Sequence, residues 1–332
     1  MTPEPVRLVL LVGAPRSGTT WLQSMLGSHA SVATPQETDL FDRYVRPLTD
    51  AWEWQMRGGP EAWPTRRYKG LPGVLTGDEF TGLVQTMVDG ALDGIARLGP
   101  DASVLLEKSP SHSLCADLVG IYSPDAKVIH VIRDGREVAA SLVAAADGWG
   151  SGWAPSTLDE AARSWVRHTE GAQRYRALGF DYHEVRYESL VARDVATLRD
   201  AYRFCGLVVS DEDSAARYKQ HSLDAAEGGG ADPILLGGEF AAFATTRTEP
   251  EGFSGQGAAR GWRESWDVRD RLRFQAVAGD LLEQLGYEPN GHWAAGTPRA
   301  VAFKAERAAR RSLAAGARRA GRGCQRIARR LA

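Results

Sequence analysis

Cysteine is scarce in this chain: three among 332 residues, Cys115, Cys205 and Cys324, far apart and odd in number. That excludes a disulfide-built scaffold, and without metal-ligand spacing it excludes a zinc module; it fits a reducing compartment. No apolar run approaches the length of a membrane span. Met1 to Pro5 are too few to hold a signal peptide ahead of the first strand, so the expected location is cytoplasmic. Internal repeats are absent, and the only biased segment is an Ala/Arg-rich stretch at the end. With 43% hydrophobic and 25% charged residues, the chain can bury a core without cross-links, as one large α/β domain or two small ones. Strong charge of either sign is also missing overall, at −2, but this balance conceals an asymmetry. From Arg299 to Ala332 eleven Lys/Arg face a single acid, Glu306, a net +10 that leaves −12 for the rest.

What is present is organised around Val6 to His29. An unbroken apolar run, Leu8 to Val12, reads as a strand buried on both faces. Gly13-Ala14-Pro15-Arg16-Ser17-Gly18-Thr19-Thr20 follows, and then Trp21, Leu22, Met25 and Leu26 recur at helical spacing. A strand, a glycine loop and a helix N-terminus converge N–H groups and the helix dipole on one point, an anion cradle. The loop matches the nucleotide P-loop in Gly13, Gly18 and Thr20, but Thr19 stands where that motif has its lysine. A kinase or NTPase needs that lysine on the β/γ-phosphates, so another cation must serve, and Arg16 is the one inside the loop. A tight turn with no ligand is the bland alternative.

Further along, Ser103 to Glu107 reads as a second buried strand ending in Lys108-Ser109-Pro110. Ala126 to Ile132 is a third, ending in Arg133-Asp134-Gly135-Arg136. A strand at Tyr182 to Tyr187 is followed by a helix from Glu188 to Phe204. Amphipathic helices are expected from Asp78 through Ile95, over Leu158 to Leu178, and over Asp267 to Leu285. The β/α alternation predicts a parallel sheet flanked by helices with ligand groups at the strands' carboxyl ends. Residues 45–77, aromatic and Gly/Pro-punctuated, read as a lid or acceptor wall, with a packed loop as the alternative, and 225–260, Gly-rich, as a mobile segment.

Pro15-Arg16-Ser17-Gly18-Thr19-Thr20 after a buried strand resembles the 5′-phosphosulfate loop of sulfotransferases that use 3′-phosphoadenosine 5′-phosphosulfate (PAPS). The resemblance extends over about residues 6 to 285 and is closest to the bacterial, tyrosyl-protein and carbohydrate types. It implies an α/β, P-loop-like three-layer fold with a central parallel sheet flanked by helices, a PAPS co-substrate and no metal. Glu107-Lys108-Ser109-Pro110 is similar to the family's lysine-proline motif, which implies that Lys108 meets the bridging oxygen or sulfonate; the bland reading is a solvated lysine. Val128 to Ser141 is similar to the second phosphate motif, which implies that Arg133 and Ser141 hold the 3′-phosphate; Arg136 is expected to pair with Asp134 or Glu137 on the surface. Gln36-Glu37-Thr38 lines up with the Glu-Glu-Thr of tyrosyl-protein sulfotransferases, which implies that Glu37 is the general base. Capping or an ion pair is its bland alternative, and His112 is a weaker candidate base. A histidine two residues after the lysine, as in small-molecule sulfotransferases, is excluded because Pro110 stands there.

By the same resemblance Tyr187 lies beside the nucleotide, with a core tyrosine as the alternative. Gly257 to Trp262 is similar to the C-terminal glycine motif, whose expected Arg-Lys pair is replaced by Gly255-Gln256 and for which Arg260 is the compensating cation. The catalytic set implied is therefore Glu37, Lys108 and Arg16. The donor set is Arg16, Ser17, Gly18, Thr19, Thr20, Arg133, Ser141, Tyr187 and Arg260. The acceptor is expected to be a small molecule, lipid or glycan, with no nucleic-acid partner. The domain is expected over 1–296, followed by a basic amphipathic helical tail over 297–332. That tail is either solvated or in peripheral contact with an anionic membrane face. A P-loop kinase or NTPase and a non-catalytic nucleotide-binding protein remain as alternative functions.

Overall fold

The structure is a computed structural model that describes residues 6–57, 70–221, 261–288 and 293–294. Five parallel strands form one sheet in the order β2-β3-β1-β4-β5. They are β1 (Arg7–Gly13), β2 (Val32–Ala33), β3 (Val104–Lys108), β4 (Lys127–Ile132) and β5 (Tyr182–Arg186). The central strand alternates its side chains between two cores, as period-2 geometry requires. Val9 and Leu11 pack into one, and Leu10 and Val12 into the other. Both faces are thus covered, which is why β1 reads as a continuous apolar run rather than an alternating one.

On the first face lie α1 (Thr19–Gly27) and the helices after β5. On the second lie α2 (Arg46–Met56), α3 (Gly77–Ala96), α4 (Ala116–Tyr122) and α6 (Leu158–Ala177). A third cluster, built by α5 (Gly135–Ala146), the first half of α6 and the C-terminal helices, flanks the end of β4. The three-layer α/β architecture expected from the sequence is the one observed. The chain leaves β3, passes β1 and continues into β4, so the loops after these three strands converge at the sheet's switch point.

Several local expectations need correction. The helix read as Glu188 to Phe204 is two, α7 (Tyr187–Val191) and α8 (Val195–Phe204). Arg193 adopts a left-handed φ of 55, and Asp194 recaps the chain by accepting from the Ala196 N–H. Tyr187 consequently opens a helix instead of ending a strand. α9 (Asp211–Gln220) was not anticipated. Residues 46–56 of the expected lid or acceptor wall form α2, whose Trp52 stacks on Phe80 of α3 at 4.4 Å while Trp54 and Met56 stay exposed. α3 starts one residue early because Thr76 and Glu79 form a capping box, and its Leu83 faces solvent. α10 (Trp262–Ser265) and α11 (Val268–Gln284) are the last elements among the described residues. Residues 58–69 and 222–260, the boundary at 296 and the basic tail lie outside the described residues.

Candidate active site

The loop after β1 turns sharply. Arg16 takes φ 72 and Gly18 takes φ 94, a left-handed geometry that costs a glycine little. A Cβ on Gly18 would sit 2.3 Å from the Tyr187 ring, so only glycine lets that ring close on the cradle. This contact places Tyr187 against the loop. Gly13 is tied at both its N–H and its carbonyl by the Ser113 hydroxyl, at 3.0 and 3.1 Å. Gly18 starts α1 without a side-chain cap, which leaves the first N–H groups of the helix directed into the loop. Ser17 is buried, and its hydroxyl has no hydrogen-bond partner among the described residues. Uncapped N–H groups and an orphaned buried hydroxyl are donors suited to an anion such as a phosphosulfate.

Lys108 ends β3 beside this loop. Its ammonium is buried and donates to Thr20 Oγ1 at 3.2 Å and to Glu37 Oε1. The Glu37 side chain is 41% exposed, so the pair is closed on the protein side and open outward. Glu107, one residue back, is fully enclosed. It accepts from the Thr38 N–H (3.2 Å), the Thr38 hydroxyl (2.7 Å) and the Ser109 hydroxyl (2.7 Å). Burial would raise its carboxyl, but the facing His112 together with Ser109 and Thr38 holds it below the usual carboxylate range. His112 is buried, with Nδ1 2.7 Å from Glu107 Oε2 and Nε2 accepting from the Phe41 N–H at 3.1 Å. Both ring nitrogens are thus engaged within the protein, and the ring is fully buried.

On the other side of the loop, Arg133 directly follows β4. Its Nη1 donates to the Arg16 carbonyl at 3.0 Å, and its guanidinium lies 4.3 Å over the Tyr187 ring. Arg16 itself turns away from Lys108. Its Nε donates to Ser141 Oγ on α5 at 3.0 Å, and the guanidinium lies 5.2 Å from the Trp149 ring. The structure thus joins Arg16, Arg133, Ser141 and Tyr187 in one group, and Thr20, Lys108 and Glu37 in another. A cleft of about 390 Å³, lined by Arg133, Glu137, Ser141, Gly261 and Trp266, opens from the first group. Burial pushes the Glu137 carboxyl up, and Arg133 opposes this.

Arg136 is not the surface residue expected. It is buried, doubly bonded to Asp134 (2.9 and 2.7 Å), joined to Glu288 (3.2 Å), and held between the Trp262 and Trp293 rings at 4.4 and 4.8 Å. Sequence reasoning missed Glu107, Ser113, Glu137 and Trp149. Glu107 carried a signal, a carboxylate ending an otherwise apolar strand; the others carried none. Arg260 lies outside the described residues. A larger cleft of about 620 Å³, lined by Leu114, Arg163, Arg167, Arg174 and Val277 among others, contains none of the motif residues. Among the described residues no cluster of three or more His, Cys, Asp or Glu is arranged to hold a metal ion.

A family model described as "Sulfotransferase family" matches residues 9–211, more than half of the chain. Protein-tyrosine sulfotransferase 1 of Danio rerio is 26% identical over 210 residues, covering 61% of this chain and 54% of that protein. An uncharacterized protein of Aquifex aeolicus is 25% identical over 211 residues, covering 62% of this chain and 26% of that one. The chain therefore spans between about a quarter and about half the length of these curated relatives. Two solved structures share the fold. A mouse sulfotransferase complexed with PAP has a TM-score of 0.52 at 13% identity, over 87% of this chain and 88% of that one. The sulfotransferase domain from the curacin biosynthetic pathway has 0.51 at 18%, over 86% and 98%.

Proposed function

Because the chain belongs to the sulfotransferase family, we propose that it transfers the sulfonate of PAPS to a hydroxyl or amine. The observation that carries this reading is the meeting of Lys108 with both Thr20 of the anion loop and Glu37 at its open mouth. In the proposed step the acceptor oxygen attacks sulfur while Glu37 takes its proton. The bond from sulfur to the bridging oxygen breaks, and that oxygen leaves with the 5′-phosphate. Lys108 and the loop N–H groups meet the charge that develops there. Ser17, Gly18, Thr19 and Thr20 hold the 5′ end. Arg133 and Ser141 are assigned to the 3′-phosphate, and the position of Arg16 on Ser141 moves its role from the leaving oxygen toward that phosphate. Tyr187 backs the cradle, and Arg260 is carried over from the glycine motif alone.

The acceptor is read as a small molecule, lipid or glycan. We further read the segment 297–332 as a basic amphipathic tail that docks the enzyme on anionic lipid, placing a cytoplasmic active site near a membrane-associated acceptor. No helix among the described residues is long and apolar enough to cross a membrane. Phosphoryl transfer is the less favoured reading: Thr19 stands in the lysine position, and the Asp134 carboxylate is committed to Arg136 rather than to a magnesium ion.

The test is ligand-dependent thermal stability. Adenosine 3′,5′-bisphosphate should raise the melting temperature while ATP with magnesium leaves it unchanged. The reverse pattern would establish the kinase reading. No response to either ligand would leave neither nucleotide as donor.

A further inference from the structure

We propose that Glu107, with Ser109 and His112, is a positioning set that holds Glu37 on the Lys108 ammonium; this rests on the reading of Glu37 as base. The segment 37–41 crosses the carboxyl end of β3 without belonging to the sheet, so its N–H groups need other acceptors. Three of them find side chains of the segment 107–112. Thr38 N–H donates to Glu107 Oε1, Asp39 N–H to Ser109 Oγ (3.0 Å) and Phe41 N–H to His112 Nε2. All three acceptors are buried. The Ser111 hydroxyl adds a fourth tie, to Asp39 Oδ1 at 2.9 Å.

Four residues of the crossing segment each meet a different residue of the segment 107–112. Glu37 meets Lys108, Thr38 meets Glu107, Asp39 meets Ser109, and Phe41 meets His112. Strand alternation turns Glu107 and Lys108 to opposite faces of the sheet, so the crossing segment straddles the strand end. Thr38 is pinned on one side and Glu37 rests on the ammonium on the other.

The chemistry requires a carboxylate at 107. Its Oε1 receives three hydrogens, from the Thr38 N–H, the Thr38 hydroxyl and the Ser109 hydroxyl, and its Oε2 lies 2.7 Å from His112 Nδ1. Because Nε2 accepts from Phe41, Nδ1 carries the ring proton. A carboxamide that kept its oxygen on those three donors would turn its NH₂ toward the protonated Nδ1, whereas a carboxylate presents an acceptor to both sides. An apolar side chain would suit a strand end this enclosed at least as well for packing. The carboxylate is therefore best explained by what it places.

The experiment compares amide hydrogen exchange in full-length parent, Glu107→Gln and Thr38→Val, read on peptides covering 36–42, β1 and β4. Exchange over 38–41 should quicken about tenfold in both variants while β1 and β4 stay protected. Unchanged exchange over 38–41 overturns the proposal, as does acceleration spread equally over all three regions. Thr38→Ser keeps the hydroxyl and should restore the parent rate.

A second arm follows consumption of PAPS with 4-nitrophenol as the acceptor probe. If Glu107 acts through Glu37, Glu107→Gln should lower kcat by up to about 10² with KM for PAPS unchanged, a loss typical of misplaced reacting groups. Added to Glu37→Gln it should cost nothing more, whereas multiplying losses would show a general structural role and overturn the proposal. Failure of the underlying reading looks different: Glu37→Gln alone would retain full turnover while the exchange result stood.

Discussion

Lys108 is an ammonium enclosed by protein whose charge is balanced by a half-exposed carboxylate, and this asymmetry suits the proposed step, in which the ammonium exchanges that partner for the leaving oxygen. Glu37→Gln keeps the shape but removes the proton acceptor, so kcat should fall by about 10²–10⁴ with bisphosphate affinity unchanged. Lys108→Ala should lower kcat as well, through loss of charge at the leaving oxygen. Steady-state rates with isothermal titration check both, and full turnover in Glu37→Gln would remove it as base. A second residue-scale prediction concerns His130. Burial, with the charges of Arg176 and Arg186, pushes its imidazole down to about 3 from 6.5. Between those values the unfolded chain binds a proton that the folded chain does not. Above 6.5 His130 has no effect; as pH falls below it, stability should drop by ~1.4 kcal/mol per unit until about 3. Chemical denaturation across pH should show this limb in the parent and a flatter one in His130→Gln. Equal slopes would move the acid sensitivity to other groups.

At the scale of elements, the proposed donor site depends on the end of β4 and on α5 bringing Arg133 and Ser141 to Arg16. Asp134 caps α5 and also anchors Arg136, so one short turn aims the strand-end arginine and locks the C-terminal aromatics against it. Arg133→Ala and Ser141→Ala should each weaken adenosine 3′,5′-bisphosphate binding by about 1.5–3 kcal/mol, the range for a charge-assisted hydrogen bond. Arg133→Ala should be the worse of the two, since it also frees the Arg16 carbonyl and uncovers Tyr187. Titration calorimetry measures both; parental affinity in each would dismiss the 3′-phosphate assignment. Elements with strong apolar periodicity, such as α6 and α11, were legible in the sequence. α9 was not, because only Ser214 and Tyr218 are buried on it and its Asp211-Glu212-Asp213 start has no apolar stripe. Nor was α2, which buries no residue fully. Hydrophobic periodicity reports burial, and these helices have little of it.

Across the whole molecule, charge separates a −12 body from a +10 segment beyond residue 298. Cosedimentation with anionic vesicles should be strong at low salt, weak at high salt, and lost on truncation after Gly296, since each Lys/Arg near such a surface contributes about 1 kcal/mol. A truncated chain that binds as well as the full one would end the docking proposal. The sequence by itself determined the buried strands, the glycine loop and the motifs at the strand ends, because these follow from short-range pattern and backbone chemistry. Only the tertiary structure decided that Arg16 turns to Ser141, 125 positions away, that Arg136 is enclosed by Trp262 and Trp293, and that Glu107 grips Thr38 across 69 positions. Those contacts depend on which strands the sheet makes neighbours and on where crossing segments meet the strand ends, and no local spacing encodes either.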